Sequence, residues 1–176
     1  MDLNTNIDKP MQSEYPDWAQ KYIDQLPNDG LILQHMRDSY SELKELIVDL
    51  PEEKLLYRYE EGKWTIKEIL QHIIDGERVF QYRSLAIARD PNVQLAEFDQ
   101  DVYASAVKPN EREFKKLLKE FKHVRKSSLS LYKSMNSDDF LKSVQVGNSN
   151  VSVRSYAYMI VGHTKHHLEI IRKYYI

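Results

Sequence analysis

Positions 152–175 read SVRSYAYMIVGHTKHHLEIIRKYY, with one glycine, no proline and apolar side chains at helical spacing. At about 100° per residue, the apolar side chains fall on one face, and His163 and His167 lie in the middle of that face. The apolar members of the face are Tyr156, Met159, Ile160, Ile170, Ile171 and Tyr174. The pattern predicts a helix from about residue 152 to about residue 175 whose buried side carries two imidazole rings one turn apart.

Three further stretches have the same helical periodicity, and together the four predict an all-α fold. They cover about residues 29–49, 66–89 and 111–135. The second has the sharpest start, because Thr65 and Glu68 form a capping box. Pro109-Asn110 is expected to cap the third. A shorter helix is expected near residues 18–26.

Two segments between these helices lack a clear helical pattern. Residues 90–109 form a long polar crossover between the second and third helices, and loops of this length are often functional. In the segment 138–150, Gly147-Asn148 indicates a turn, and a short hairpin fits there.

Composition narrows the class of protein. A length of 176 residues fits one domain, and 41% hydrophobic with 30% charged residues indicates a globular chain. A net charge of -2 gives no electrostatic case for binding nucleic acid or an anionic membrane. The chain has no cysteine, which excludes disulfides, Cys-ligated zinc and a Cys nucleophile and favours the cytoplasm. No signal peptide and no membrane-spanning run are visible in the sequence.

Helical phase sorts the six histidines into candidates and non-candidates for a metal site. His163 and His167, at i and i+4, have the spacing with which one helix offers two imidazoles to one ion. His72 borders the buried face of the second helix, where Gly76 leaves room beside a ring, and is the best third ligand. The other three, His35, His123 and His166, lie off the centre of their helix faces, and His123 is expected to face solvent. The alternative is a structural bundle with two buried, hydrogen-bonded histidines.

Three acidic side chains are further candidates. Glu77 lies on the core face of the second helix and needs a partner there. It could orient a metal-bound histidine or pair with an arginine such as Arg83. Asp99 and Asp101 lie in the crossover and could line a site, although solvated loop acids are the more common case.

Several motifs in order resemble the DinB-like (YfiT-like) family. They are Tyr57-Arg58-Tyr59, Gly62-Lys63-Trp64-Thr65-Ile66-Lys67-Glu68, His72, Asp75, Glu77, Arg78, Ala88-Arg89, Phe98-Asp99-Gln100-Asp101-Val102-Tyr103 and Gly162-His163-Thr164-Lys165-His166-His167. The resemblance extends from about Glu14 to the C-terminus. It divides the chain into a flexible segment, residues 1–13, and a helical bundle domain, residues 14–176.

The resemblance implies a four-helix bundle that holds a divalent metal ion, with zinc or nickel preferred, through His72, His163 and His167. Helical phase selects the same three side chains. Some members of the family are transferases that use low-molecular-weight thiols such as bacillithiol or mycothiol, and members often form homodimers. A role on DNA does not follow from the family name.

Three hypotheses for function remain open at this point. The first is an enzyme in which the ion activates a small-molecule thiol, or water in a hydrolase, for attack on a small electrophile. The second is a non-catalytic metal-binding protein with a role in stress or interaction. The third is the purely structural bundle. An open three-ligand site favours the first, because a structural metal site is usually closed by a fourth protein ligand.

Overall fold

A computed structural model describes residues 6–176, and their architecture confirms the expected all-α four-helix bundle. The four long helices are α2, α4, α6 and α8, and the other four helices are short connecting elements. The α-helices are α1 (Gln20–Ile23), α2 (Ile32–Ile47), α3 (Glu52–Leu55), α4 (Ile66–Arg89), α5 (Gln100–Ser105), α6 (Phe114–Lys133), α7 (Ser137–Leu141) and α8 (Val153–Tyr174).

Side-chain caps fix the starts of the two helices that carry the candidate ligands, and the first of them is the capping box expected from the sequence. Before α4, Thr65 Oγ1 accepts a hydrogen bond from the amide of Glu68 at 3.2 Å, and the Glu68 carboxylate accepts one from the amide of Thr65 at 2.7 Å. Before α8, Ser152 Oγ accepts from the amide of Ser155 at 3.2 Å. Both caps satisfy amides that have no partner within the helix.

The helix α8 packs against both α2 and α4, and α6 also packs against both α2 and α4. The apolar side chains divide into two clusters along the bundle axis. On α8, the buried His163 and His167 lie between the residues of the two clusters, and the buried His72 of α4 is flanked by Ile69 and Ile73 of the second cluster. The apolar clusters therefore hold the helices together on both sides of the histidines.

The two segments without helical pattern contain local structure. The crossover from residue 90 to residue 109 contains α5, whose first amides are capped by the Asp99 carboxylate. The expected hairpin is present as β1 (Ser143–Val146) and β2 (Ser149–Ser152), and Gly147 in its turn has a φ of 57°. The third long helix starts later than expected, because Pro109–Glu111 forms a separate 3₁₀ turn before Phe114.

Part of the N-terminal segment packs against the bundle. Residues 1–5 of the segment expected to be flexible lie outside the described residues. Ile7 is buried, its amide bonds to the carbonyl of Gly30, and its carbonyl accepts a hydrogen bond from the Tyr158 hydroxyl at 3.0 Å. Among residues 6–176, every helix is too short or too polar to span a lipid bilayer.

The short helix α1 approaches α8 at a glycine directly before the first candidate ligand. A Cβ on Gly162 would lie 2.2 Å from the backbone oxygen of Tyr22, so no larger residue fits without moving the backbone. The Gln25 side chain also donates a hydrogen bond to the carbonyl of Gly162 at 2.9 Å. This close approach places the Tyr22 ring against the rings of His163 and His166.

We expect Gly162→Ala to lower the free energy of unfolding by about 1–3 kcal/mol, since overpacking against a backbone atom forces a shift. Gly76→Ala is the matched control. It gains the same helix propensity, but its Cβ would meet only a side chain, at 3.3 Å from Cε1 of His163. Urea denaturation followed by circular dichroism compares the two. Equal stability of both variants would show that α1 does not contact Gly162 as described.

Candidate metal centre

Three histidine side chains from two helices meet at one point inside the bundle. Nε2 of His163 lies 2.8 Å from Nε2 of His72 and 3.1 Å from Nε2 of His167. All three side chains are buried. Within residues 6–176 they form the one group of three or more potential ligands whose donor atoms lie within 4.8 Å of one another.

Helix geometry brings these rings together. His163 and His167 stand one turn apart on α8, and His72 faces them from α4. Gly76 creates the necessary space, although beside a different ring from the one expected, because its missing Cβ leaves room for His163 and not for His72. A Cβ at this position would lie 3.3 Å from Cε1 of His163, a contact that a small shift of the ring would relieve.

Hydrogen bonding alone does not satisfy the three nitrogens. A neutral imidazole nitrogen has either one N–H or one lone pair, so it can make one strong hydrogen bond at a time. His163 Nε2 faces two other ring nitrogens at hydrogen-bond distance. A cation that accepts one lone pair from each ring removes this conflict. The three nitrogens also match the set of neutral histidine ligands in open zinc sites, so the residues present fit a divalent ion.

Burial keeps the three rings uncharged. Desolvation lowers the pKa of His72 to about 4, with a smaller contribution from His166. Desolvation, followed by the neighbouring histidines, holds the pKa values of His163 and His167 well below their ordinary value. Neutral imidazole is the form that binds metal ions, so the rings need not lose protons to do so near neutral pH.

Aromatic side chains surround the cluster. The Trp64 ring lies 4.7 Å from the His72 ring, and Tyr22 and Phe80 approach His163 at 5.5 and 6.2 Å between ring centroids. Nδ1 of His167 is the one buried side-chain polar atom of the described residues without a hydrogen-bond partner. The orientation of this ring is therefore set by packing and by the bonds of its Nε2.

Cavities reach the cluster from two sides. One, of about 330 Å³, is lined by His72 and His163. The other, of about 180 Å³, is lined by His167 and lies between Trp64, Tyr59 and Ile170. A site with access from two sides can receive small molecules, which a closed structural metal site does not.

A buried ion pair connects α6 to α4 and α8, the two helices that carry the candidate ligands. Glu77 of α4 accepts hydrogen bonds from Arg125 of α6 at 2.9 Å, and both side chains are 2% exposed. Arg125 also donates to Thr164, next to His163, at 2.9 Å. The expected pairing of Glu77 with an arginine is present, but the arginine is Arg125. Arg83, which the sequence offered as an example, lines the cavity that His72 also lines. Within the described residues, Glu77 contacts no ring nitrogen, so it holds helices and does not orient a histidine directly.

The other candidates lie away from the cluster. His123 is exposed, and His35 bonds to Asp29 at 2.8 Å. His166 is half-buried against Tyr22 and does not join the three ring nitrogens. The two crossover acids are both exposed: Asp99 caps α5, and Asp101 lies in its first turn.

Two functional candidates were not identified from the residues. One face of α4 carries His72, Gly76, Phe80 and Arg83, at positions i, i+4, i+8 and i+11. All four line the cavity of about 330 Å³. This spacing was visible in the sequence. Asp75 lines a narrower cavity beside His72. Desolvation raises the pKa of the Asp75 carboxyl, and a hydrogen bond from Gln71 opposes the rise.

Comparisons with known proteins agree with this fold. The model of the DinB superfamily matches residues 35–171. A relative from Oceanobacillus iheyensis, whose name proposes a metal-dependent hydrolase, is 26% identical over 143 residues, which cover 80% of this chain and 81% of that protein. YfiT from Bacillus subtilis, which is described as a proposed metal-dependent hydrolase with an unusual four-helix bundle topology, superposes with a TM-score of 0.73. Its sequence identity is 15%, with coverage of 94% of this chain and 92% of that chain, so it supports the fold alone.

Proposed function

Since the chain belongs to the DinB superfamily, we propose that it is a metal-dependent hydrolase of a small molecule and that His72, His163 and His167 hold one divalent ion. The expected resemblance to this family is confirmed. The assignment of the three ligands stays a prediction, and so does the choice of zinc or nickel, which rests on the resemblance to the family. The name of the Oceanobacillus relative supports hydrolysis as the reaction class.

One observation carries the proposal: three buried, neutral imidazoles present Nε2 atoms to a common point that hydrogen bonding cannot satisfy. When bound there, a divalent ion supplies a Lewis acid and a water made nucleophilic near neutral pH. The aromatic rings of Trp64, Tyr22 and Phe80 limit the access of bulk water, which strengthens electrostatic interactions at the site.

Asp75 is placed to exchange a proton during such a reaction. The cavity beside His72 is lined by two carboxylates, Glu68 and Asp75. Glu68 is already bonded to the amide of Thr65 and to Arg58. Within residues 6–176, the Asp75 carboxylate accepts one side-chain hydrogen bond, from Gln71 at 3.0 Å, and lies 3.6 Å from Nη1 of Arg78. We assign Asp75 as the group that accepts a proton at its carboxylate.

A transferase that uses a low-molecular-weight thiol is the second candidate. The observation in its favour is that two separate cavities meet the cluster, one at His72 and His163 and the other at His167, since two substrates could enter separately. The chain has no cysteine, so the thiol would come from a co-substrate. A non-catalytic metal-binding role is the third candidate and predicts neither reaction.

Activity measurements on the protein with and without the bound ion test the proposal. We expect the zinc-loaded protein to hydrolyse 4-nitrophenyl esters, and removal of the ion by a chelator to lower the rate at least about tenfold. His123→Ala, an exposed change, should leave the rate unchanged. Conjugation of 1-chloro-2,4-dinitrobenzene with an added thiol, without ester hydrolysis, would favour the transferase. Equal rates with and without the ion would contradict both the hydrolase and the transferase hypotheses.

We also propose a homodimer in the cytoplasm. The dimer rests on the resemblance to the family, and the compartment rests on the absence of cysteine from the sequence. Sedimentation velocity at micromolar concentration distinguishes a dimer from a monomer.

A further inference from the structure

We propose that the substrate is a small organic carboxylate and that Arg83 binds its carboxylate group. This inference names the substrate class of the proposed hydrolase and rests on that function for the reaction. The geometry that supports it does not depend on the metal.

Arg83 differs from the other buried cations of the bundle. Within residues 6–176, three cationic side chains are buried, namely Lys67, Arg83 and Arg125. Lys67 pairs with Glu52, and Arg125 pairs with Glu77. Arg83, at 7% exposed, forms no ion pair with a carboxylate among these residues. A buried guanidinium stays charged, so a missing counter-charge calls for an anion from outside the chain.

The contacts of Arg83 leave donors available. Nη2 of Arg83 donates a hydrogen bond to the carbonyl of Ala96 at 2.6 Å. The uncharged Tyr156 hydroxyl is the second polar neighbour of the guanidinium. A guanidinium has five N–H donors. The bond to Ala96 fixes the side chain against the crossover, and the remaining donors can bind a carboxylate in the bidentate manner that arginine favours.

Arg83 lines two cavities, and the one that His72 and His163 also line has the charge and shape for such a ligand. The other contains Asp17 and Glu97, neither of which forms an ion pair with Arg83. The lining of the first cavity contains a second cation, Lys21, and no acidic residue. Four aromatic side chains, those of Trp18, Tyr22, Phe80 and Phe98, form much of the rest. Its volume of about 330 Å³ fits a small molecule.

The same cavity also contains His72 and His163. A ligand held by Arg83 at one side therefore has its apolar body between aromatic rings and its other end near the histidine cluster. This order of groups predicts a substrate with a carboxylate separated by an apolar portion from the bond to be cleaved.

Binding of matched probes tests the role of Arg83 apart from hydrolysis. The probes are 3-phenylpropionate and its neutral carboxamide, 3-phenylpropanamide, measured by calorimetry on the protein as purified and after chelator treatment. We expect the carboxylate to bind at least about tenfold more tightly than the amide in both states. Arg83→Gln should remove this preference, and Arg83→Lys should retain part of it. The control Arg89→Gln removes an exposed arginine of the same helix and should change nothing.

The outcomes separate this inference from the proposed function. Equal binding of carboxylate and amide to the wild type would overturn the inference, whether or not Arg83→Gln folds. A preference that survives in a folded Arg83→Gln variant, or that disappears when the ion is removed, would overturn it as well, because the carboxylate would then bind elsewhere or to the metal. A protein that binds no metal but prefers the carboxylate through Arg83 would refute the hydrolase and leave the anion site intact.

Discussion

Arg125→Ala is expected to lower the free energy of unfolding by about 3–5 kcal/mol, the typical effect of removing one partner of a buried ion pair. The loss leaves the Glu77 carboxylate, 2% exposed, without its cationic partner. It also removes hydrogen bonds of 2.9 Å to Ser39 of α2 and Thr164 of α8. One side chain of α6 thus connects all four long helices. Urea denaturation followed by circular dichroism gives the change in stability.

The double variant Glu77→Leu with Arg125→Met is the control for this prediction. It removes both charges, and the hydroxyls that remain still have backbone acceptors, since Thr164 bonds to the carbonyl of Ile160 and Ser128 to that of Val124. We expect the double variant to be more stable than Arg125→Ala. A loss below about 1 kcal/mol in the single variant would show that the pair is not buried as described.

His72→Ala is expected to weaken metal binding more than the loss of a residue that hydrogen-bonds to a metal ligand, which typically costs roughly 10–100-fold. The reason is that it removes a ligand itself. Two ligands, both on α8, would remain. The fold should survive, since the apolar clusters on both sides of the site do not contain His72. Competition with a chromophoric chelator gives the affinity, and circular dichroism checks the helix content.

His123→Ala is the matched control for this variant, because it removes an exposed histidine of α6. It should retain the affinity of the wild type. If His72→Ala also retains that affinity, then His72 is not a ligand, and a carboxylate near the cluster such as Asp75 becomes the candidate.

The helices were predictable from the sequence because their signals are local. The limits of α4 follow from the Thr65–Glu68 capping box and from the proline after Arg89, and they agree with the structure. The separate 3₁₀ turn at Pro109–Glu111 was not predicted, since a proline–asparagine pair is compatible with either a cap or a turn. The helix α5 is short and has no buried residues, so it leaves no apolar stripe in the sequence.

Contacts between helices were predictable only in part. Helical phase places His163, His167 and His72 on buried faces, and the convergence of the three follows once α4 packs on α8. The phase of Glu77 likewise shows that it is buried, but the choice between Arg83 and Arg125 depends on which helix faces it. Arg125 comes from α6, 48 positions away along the chain. Sequence periodicity contains no information on that pairing.

The metal content of the wild-type protein tests the central claim most directly. We predict about one divalent ion per chain by inductively coupled plasma mass spectrometry, because three histidine nitrogens converge on one position. The measurement applies to the protein as purified and after addition of zinc or nickel followed by gel filtration. Less than about a tenth of an equivalent after both additions would contradict a metal site at His72, His163 and His167.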